Sequence, residues 1–297
     1  MKMMEFSKTL REEVAALLPD KDVREVRVVK INDQILHGIV ITPEGSAAGP
    51  TFYIDEVYEN IVCSRSEADT EIKAAAFDMV NAYISIGEHP EEITDLTFGS
   101  TTLAFEEVKA DLTLRLVEKA RNKEYLADKP CRELGSTGLA AIAAISSGNY
   151  CATVTNGLAE SEGYDIDEVF TTAEANTGAS MVCLDALLYG DPENLLNDEA
   201  ELPEDPGLLM VSPATVLAKE STLKRIEEII GEGYYVLPSS IHEVMVQPET
   251  DAPPIERLKA IVHDANRDVV SKSDILSDNV FHYSSESGLT VVEGGAA

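Results

Sequence analysis

The chain reads Tyr234-Tyr235-Val236-Leu237-Pro238-Ser239-Ser240-Ile241-His242-Glu243-Val244-Met245-Val246 near its C-terminal end. Two apolar, strand-like runs flank a Pro-Ser-Ser turn, and this pattern predicts a β-hairpin. The turn also carries two hydroxyls, an imidazole and a carboxylate. The hairpin is therefore the clearest structural signal in the chain, and its turn is the strongest candidate for a cluster of catalytic side chains.

Amphipathic helices and a second hairpin flank this stretch. Residues 221–230 place apolar side chains on successive turns and end at Gly231, so they predict a helix. A further helix is predicted from Pro254, which suits a first helical turn, to about residue 269. Residues 280–283 and 289–292 are strand-like and predict a terminal hairpin.

The N-terminal part has a similar alternation. An amphipathic helix is predicted over 4–18, a hairpin over 23–41 with Asn32-Asp33-Gln34 at its turn, and a strand over 51–54. A helix capped by Asp55 follows, and then a longer one capped by Ser66. The apolar stripe of the longer helix is Ile72, Ala76, Met79, Val80, Tyr83 and Ile84.

The middle of the chain is predicted from spacing and turn residues. Val108, Leu112, Leu116 and Ala120 recur every four residues, which predicts a helix over about 105–126. Residues 139–145 and 150–154 flank a Ser-Ser-Gly-Asn turn and predict another hairpin. Asp165 and Glu168 resemble a capping box ahead of a helix. Residues 190–206 carry acids and prolines without a base, so we expect a solvated acidic loop.

Hairpins outnumber single crossovers in this pattern, so the sequence predicts an α+β fold with mixed or antiparallel sheets packed against amphipathic helices. A change in composition near residue 127 predicts two lobes. The N-terminal lobe would span 1–126, and the C-terminal lobe would span 127–297 with the acidic loop at 190–206.

The net charge of −31, from 54 acidic and 23 basic residues, is the most unusual bulk property. Its sign argues against direct binding to nucleic acid or to an anionic membrane, because phosphate contacts need clustered Lys and Arg. Two explanations remain open. The first is that the acidity serves solubility alone, and the second is that it imitates a nucleic-acid backbone and occupies a protein that binds one.

The remaining composition points to an intracellular protein without a bound cofactor. No apolar run reaches the length of a membrane span, and Glu12 and Glu13 interrupt any signal-peptide core, so we expect a cytoplasmic location. The four cysteines form no C-x-x-C pair and are expected to be buried, reduced thiols. No motif for a metal, a phosphate cradle or a dinucleotide is present, so we expect no metal and no cofactor.

Ser239, Ser240, His242 and Glu243 are the catalytic candidates. On an extended strand Ser240 and His242 would share one face, with Glu243 on the other. A serine nucleophile needs its base on the hydrogen-bond line and a third group behind the imidazole, and neighbours along one strand rarely reach that geometry. The alternative is that both serines bond the turn backbone. The sequence therefore favours a protein that is not an enzyme.

Several stretches resemble a bacterial family of unknown function. These are Leu237-Pro238-Ser239-Ser240-Ile241-His242-Glu243-Val244, Leu36-His37-Gly38-Ile39-Val40-Ile41, Pro50-Thr51-Phe52-Tyr53-Ile54-Asp55-Glu56-Val57-Tyr58 and Asp167-Glu168-Val169-Phe170. The resemblance spans most of the chain. It implies an intracellular protein of anaerobic Gram-positive bacteria, often encoded near mobile genetic elements, and it carries no catalytic residue or ligand.

Three functional hypotheses follow. The first is a non-enzymatic accessory protein that binds another protein, in a setting linked to mobile elements. The second is an acidic mimic that antagonises a DNA- or RNA-binding or defence protein. The third is a hydrolase that uses Ser239 or Ser240 with His242.

Overall fold

Antiparallel sheets and helices make up the computed structural model, which describes residues 1–42, 49–63, 68–88, 96–97, 104–147, 150–184, 195–196 and 207–293. The helices of this described part are α1 (Met3–Leu17), α2 (Asp55–Cys63), α3 (Ala68–Glu88), α4 (Phe105–Val108), α5 (Asn156–Glu162), α6 (Ile166–Asn176), α7 (Glu220–Ile230) and α8 (Ile255–Asp268). The α+β prediction is confirmed, because every described strand pair is antiparallel.

The strands form three sheets. The described strands are β1 (Asp22–Lys30), β2 (Gln34–Thr42), β3 (Gly49–Tyr53), β4 (Leu96–Thr97), β5 (Leu112–Glu118), β6 (Arg132–Glu133), β7 (Leu139–Ser147), β8 (Tyr150–Thr153), β9 (Ser180–Cys183), β10 (Leu195–Leu196), β11 (Leu209–Ser212), β12 (Tyr234–Pro238), β13 (Val244–Pro248), β14 (Phe281–Ser284) and β15 (Gly288–Val291). The sheet orders are β1-β2-β3-β4, β5-β7-β6 with β8 also on β7, and β10-β9-β11-β13-β12-β14-β15.

Contacts group the chain into two compact units. The first contains 1–30, 34–107 and 145–152, and the second contains 31–33, 108–144 and 153–297. The lobe boundary between residues 126 and 127 stays a prediction. The core of the first unit joins α1, the β1–β3 strands, α2 and α3 through Phe6, Leu10, Val14, Val23, Ile39, Ile41, Ile54, Ile61, Ile72, Ala76, Met79 and Val80.

The predicted N-terminal hairpin is confirmed, and its turn groups with the second unit. β1 and β2 pair from Asp22↔Thr42 to Lys30↔Gln34. Asn32 adopts a left-handed conformation with φ 63°, which Asn tolerates better than most residues. Its side-chain amide donates to the carbonyl oxygens of Lys272 and Ile275, at 2.9 Å each.

The helix predicted over 105–126 is wrong. α4 ends at Val108, and residues 112–118 form strand β5, in which Leu112, Leu114 and Leu116 are buried on one face. A spacing of four residues fits two full periods of a strand as well as one turn of a helix. The intervening Leu114 makes the alternation strict, so the strand period is the one that the fold uses.

Two burial predictions also fail. Ile84, assigned to the inward stripe of α3, is 52% exposed, whereas Ile72, Ala76, Met79 and Val80 are buried. The cysteines were expected to be buried, but Cys63, Cys131 and Cys151 are exposed and Cys183 is half-buried, and none of the four forms a disulfide. Burial depends on which face of an element meets the core, and a residue's average behaviour does not give that face.

The sheet around the central hairpin matches the sequence pattern. β12 and β13 pair from Tyr234↔Pro248 to Pro238↔Val244, and β14 and β15 pair from Phe281↔Val291 to Ser284↔Gly288. Tyr234, Val236, Val244 and Val246 are fully buried. The acidic loop predicted at 190–206 lies outside the described residues, apart from the two-residue strand β10.

Candidate functional site

The Ser-Ser-Ile-His-Glu segment is a loop that connects β12 to β13. The Ser240 Oγ accepts hydrogen bonds from the backbone N–H groups of His242 (3.0 Å) and Glu243 (3.3 Å). The Ser240 N–H donates to the Glu243 carbonyl oxygen at 3.1 Å. Serine hydroxyls stabilise tight turns in this way. Because the segment is not extended, the shared strand face expected for Ser240 and His242 does not exist.

The other members of the segment also act through backbone groups. The Ser239 Oγ donates to the Glu243 carbonyl oxygen at 3.0 Å. The His242 carbonyl oxygen accepts from the Ala214 N–H at 3.1 Å. The His242 ring is 70% exposed, and its Nε2 lies 3.9 Å from Asp274 Oδ1. These contacts are those of a structural turn, and a catalytic role for the segment stays a prediction.

A cleft of about 440 Å³ lies elsewhere in the second unit. This volume is within the usual range for ligand sites. Its apolar floor consists of buried side chains from β5, β7, α6, α7 and the short 3-10 segment at 214–218: Leu114, Ala141, Phe170, Leu217 and Leu223. The polar lining comes from Arg132, Glu133, Glu174, Glu220 and Ser287.

Helix α6 supplies the acidic centre of this cleft, and local sequence fixes where the helix lies. The Asp165 carboxylate caps its first turn by accepting from the Asp167 N–H at 2.9 Å and the Glu168 N–H at 3.2 Å. At the other end, the Asn176 amide donates to the Leu112 carbonyl oxygen at 2.9 Å, next to β5. Phe170 and Glu174 are four residues apart, so both lie on the same side of α6.

Three of the four charged side chains in the cleft already have partners. Arg132 pairs with Asp167 at 2.7 Å, and its guanidinium stacks 4.6 Å from the centre of the Phe170 ring. Glu133 pairs with Lys119. These contacts offset the charges of Arg132 and Glu133 within the protein itself.

Glu220 is the third partnered charge. Its carboxylate accepts a hydrogen bond from the Tyr283 hydroxyl at 3.2 Å and lies 3.5 Å from the Lys224 ammonium. Burial, and then the nearby Glu220 charge, raise the pKa of Tyr283 to about 12. Burial also raises the pKa of the adjacent Tyr234. Both phenols therefore stay protonated at neutral pH and act as hydrogen-bond donors.

Glu174 is the exception. Glu174 as a residue is half-buried, and its carboxylate has no hydrogen-bond or ion-pair partner among the residues that the structure describes. Because Arg132, Glu133 and Glu220 each have an oppositely charged partner, Glu174 gives the cleft one negative charge in excess. The arrangement is suited to receiving a cation with an apolar stem.

A second polar pair, in the first unit, was also missed by sequence reasoning. Asp55 Oδ1 lies 2.9 Å from His37 Nδ1, and Asp55 Oδ2 accepts from the His37 N–H at 2.8 Å. The sequence predicts Asp55 as a helix cap and does not indicate its contact with His37. Their encounter follows from the register that pairs Gly38 with Tyr53 across β2 and β3, and nothing in the sequence fixes that register.

The described residues show no metal or membrane feature. No group of three or more His, Cys, Asp or Glu side chains in this part of the chain could hold a metal ion. None of the described helices is long and apolar enough to cross a membrane.

Comparison with known sequences agrees with the resemblance noted above. No curated protein and no solved structure matches the chain. The sequence model of one family, described as a family of unknown function (DUF5688), matches residues 3–189 and 209–285. The match covers most of the 297 residues, so the chain belongs to the DUF5688 family.

Proposed function

We propose that this protein is a non-enzymatic, cytoplasmic binding protein whose cleft receives a basic segment of a partner protein. The observation that carries the proposal is the half-buried residue Glu174, whose carboxylate has no cationic partner among the described residues. It lies beside an apolar floor, and Lys and Arg side chains combine an aliphatic stem with a charged head.

The charge of the whole chain supports the same partner. A net charge of −31 attracts a basic protein over long range and speeds the encounter. The cleft then provides the local specificity, because the Glu174 carboxylate has no cationic partner among the described residues. Glu133 and Glu220 lie at the mouth of the cleft, and each is 60% exposed.

A nucleic-acid-binding protein would be one kind of basic partner, so the acidic-mimic hypothesis is a special case of this proposal. The link to mobile genetic elements concerns the partner's identity and stays a prediction. Competition distinguishes the special case, because a mimic and a nucleic acid would exclude each other from the same partner.

The test is fluorescence anisotropy with a dye-labelled peptide of about nine alternating Lys and Val residues, a typical strand length. A peptide with Glu in place of Lys is the charge control. The protein is compared as wild type, Glu174→Gln and Glu160→Gln. Glu160 is an exposed acid on α5 outside the cleft, so its variant has the same net charge as Glu174→Gln.

A charge-assisted hydrogen bond contributes about 1.5–3 kcal/mol, so we expect Glu174→Gln to weaken binding of the Lys peptide about tenfold or more. Glu160→Gln should bind like the wild type, and the Glu peptide should not bind. Equal weakening by both variants, or by neither, would show that diffuse charge alone attracts the peptide and would rule out the cleft as its site.

A further inference from the structure

We propose that the basic segment binds as an added β-strand along the open edge of β15. This inference rests on the proposed function, since it concerns how the same cleft holds its partner. It commits to one occupant, an extended segment of another protein with a basic residue at every second position.

β15 is an edge strand that faces the cleft. It is the last strand of the seven-stranded sheet and pairs with β14 alone among the described residues. Its first two residues, Gly288 and Leu289, line the cleft together with Ser287. An edge strand presents unpaired N–H and C=O groups, and another chain can pair with them.

The composition of β15 leaves this edge unprotected. Proteins usually guard edge strands with Lys, Pro, other charges or bulges. β15 reads Gly288-Leu289-Thr290-Val291 and contains none of those residue types. By contrast, the short edge strand β6, which also lines the cleft, consists of Arg132 and Glu133. Both β6 and β15 line this cleft, and β15, the edge strand without charged residues, is twice as long as β6.

The acids lie where an added strand needs them. Tyr283 pairs with Leu289 in the β14–β15 register, and its hydroxyl bonds Glu220. A strand added about 4.8 Å from β15 directs every second side chain to one face of the sheet. Basic residues on that face would meet Glu220 at the mouth of the cleft and Glu174 within it, and the intervening apolar residues would face away.

A second copy of this chain is the competing occupant. Edge-to-edge pairing of two β15 strands would bring together two chains that each carry a net charge of −31. Repulsion between like charges opposes that arrangement. A basic partner would be attracted to the acidic chain and would not be repelled.

The experiment compares the Lys-Val peptide with the same peptide N-methylated on four central residues. N-methylation removes backbone donors and blocks strand pairing, and it leaves the side chains and the charge unchanged. Affinities are measured by anisotropy for the wild type and Glu174→Gln. Hydrogen exchange of the β15 amides is followed with and without the peptide, and the protein alone is sedimented to obtain its oligomeric state.

We expect the methylated peptide to bind at least tenfold more weakly than the unmethylated one. We also expect the β15 amides to exchange more slowly when the unmethylated peptide is present. Equal affinities of the two peptides, with the Glu174 dependence retained, would overturn strand addition and leave the cleft intact. Loss of the Glu174 dependence would instead overturn the proposed function. A dimer whose β15 amides are already protected without peptide would assign the edge to a second copy and overturn this inference.

Discussion

The 239–243 loop and the Glu174 cleft differ in how well their sequence reflects their chemistry. The loop gathers two hydroxyls, an imidazole and a carboxylate within five residues, and in the structure the hydroxyls bond the backbone of their own turn. The cleft is built from five separate parts of the chain, and it contains Glu174, whose carboxylate has no partner among the described residues. Polar residues that are neighbours in sequence mostly satisfy local backbone groups, whereas a site requires side chains that the fold brings together.

The largest expected effect comes from the floor of the cleft. Phe170 is 3% exposed, so Phe170→Ala should lower the free energy of unfolding by about 3–5 kcal/mol through lost burial and a residual cavity. Urea denaturation measures the change. Phe77→Ala is the matched control, since Phe77 is 58% exposed. Equal losses for the two variants would mean that the cleft floor is not part of the core.

The second largest effect is expected from alkaline pH, which should lower the free energy of unfolding. The pKa of Tyr283 rises from 10.0 to about 12 on folding, so its contribution to stability is complete below pH 10 and is lost as the pH rises through about 12. At about 1.4 kcal/mol per pKa unit the loss amounts to roughly 2–3 kcal/mol. Urea denaturation across this pH range tests it.

Tyr283→Phe is the comparison for the alkaline experiment. Tyr234 has a raised pKa as well, so the variant should show a shallower fall of stability with pH and not a flat profile. An unchanged profile would contradict the assignment to Tyr283.

The loop should show a smaller effect. Ser240→Ala removes an acceptor of two backbone N–H groups, and we expect the free energy of unfolding to fall by about 1–2 kcal/mol, as for a lost helix cap. Ser239→Ala should cost less, because the Glu243 carbonyl oxygen keeps its bond from the Ser240 N–H. Thermal unfolding of both variants measures the difference. A Ser240→Ala protein of unchanged stability that had lost a hydrolytic activity would reverse the comparison and revive the catalytic hypothesis.

Glu174→Gln should have the smallest effect on stability. The carboxylate has no described partner to lose, so we expect the free energy of unfolding to stay within about 0.5 kcal/mol of the wild type or to rise slightly. Glu220→Gln keeps an oxygen acceptor for the Tyr283 hydroxyl but removes the charge that strengthens this bond and pairs with Lys224, so it is the contrasting variant and should destabilise. A marked loss of stability in Glu174→Gln would show that this carboxylate has a structural role.

Strand and helix signals that rest on local chemistry were predicted from the sequence. Asp165 caps its helix as the pattern indicated, Gly231 ends α7 with φ 82°, and the central hairpin pairs as its apolar runs required. These features depend on contacts within a few residues, so the sequence contains all the information they need.

The candidate site could not be predicted to the same degree. Leu112 and Leu116 fit both a helix and a strand, and the wrong choice hid β5, against which α6 packs. His37 and Asp55 meet only through the register of two strands joined by a connection of several residues. Glu174 is one acid among 54 in the sequence, and it is distinguished only by its place in the cleft together with the lack of a described partner.

By itself, then, the sequence determined the class of the fold, the positions of its hairpins and capped helices, the strongly acidic charge and the family. These follow from composition, from periodicity and from hydrogen bonds between near neighbours. The tertiary structure alone decided that the Ser-His segment is a bonded turn, and that β6, β15, α6 and α7 enclose one cleft. That decision depends on strand order and on which face of each element is buried, and long-range packing sets both.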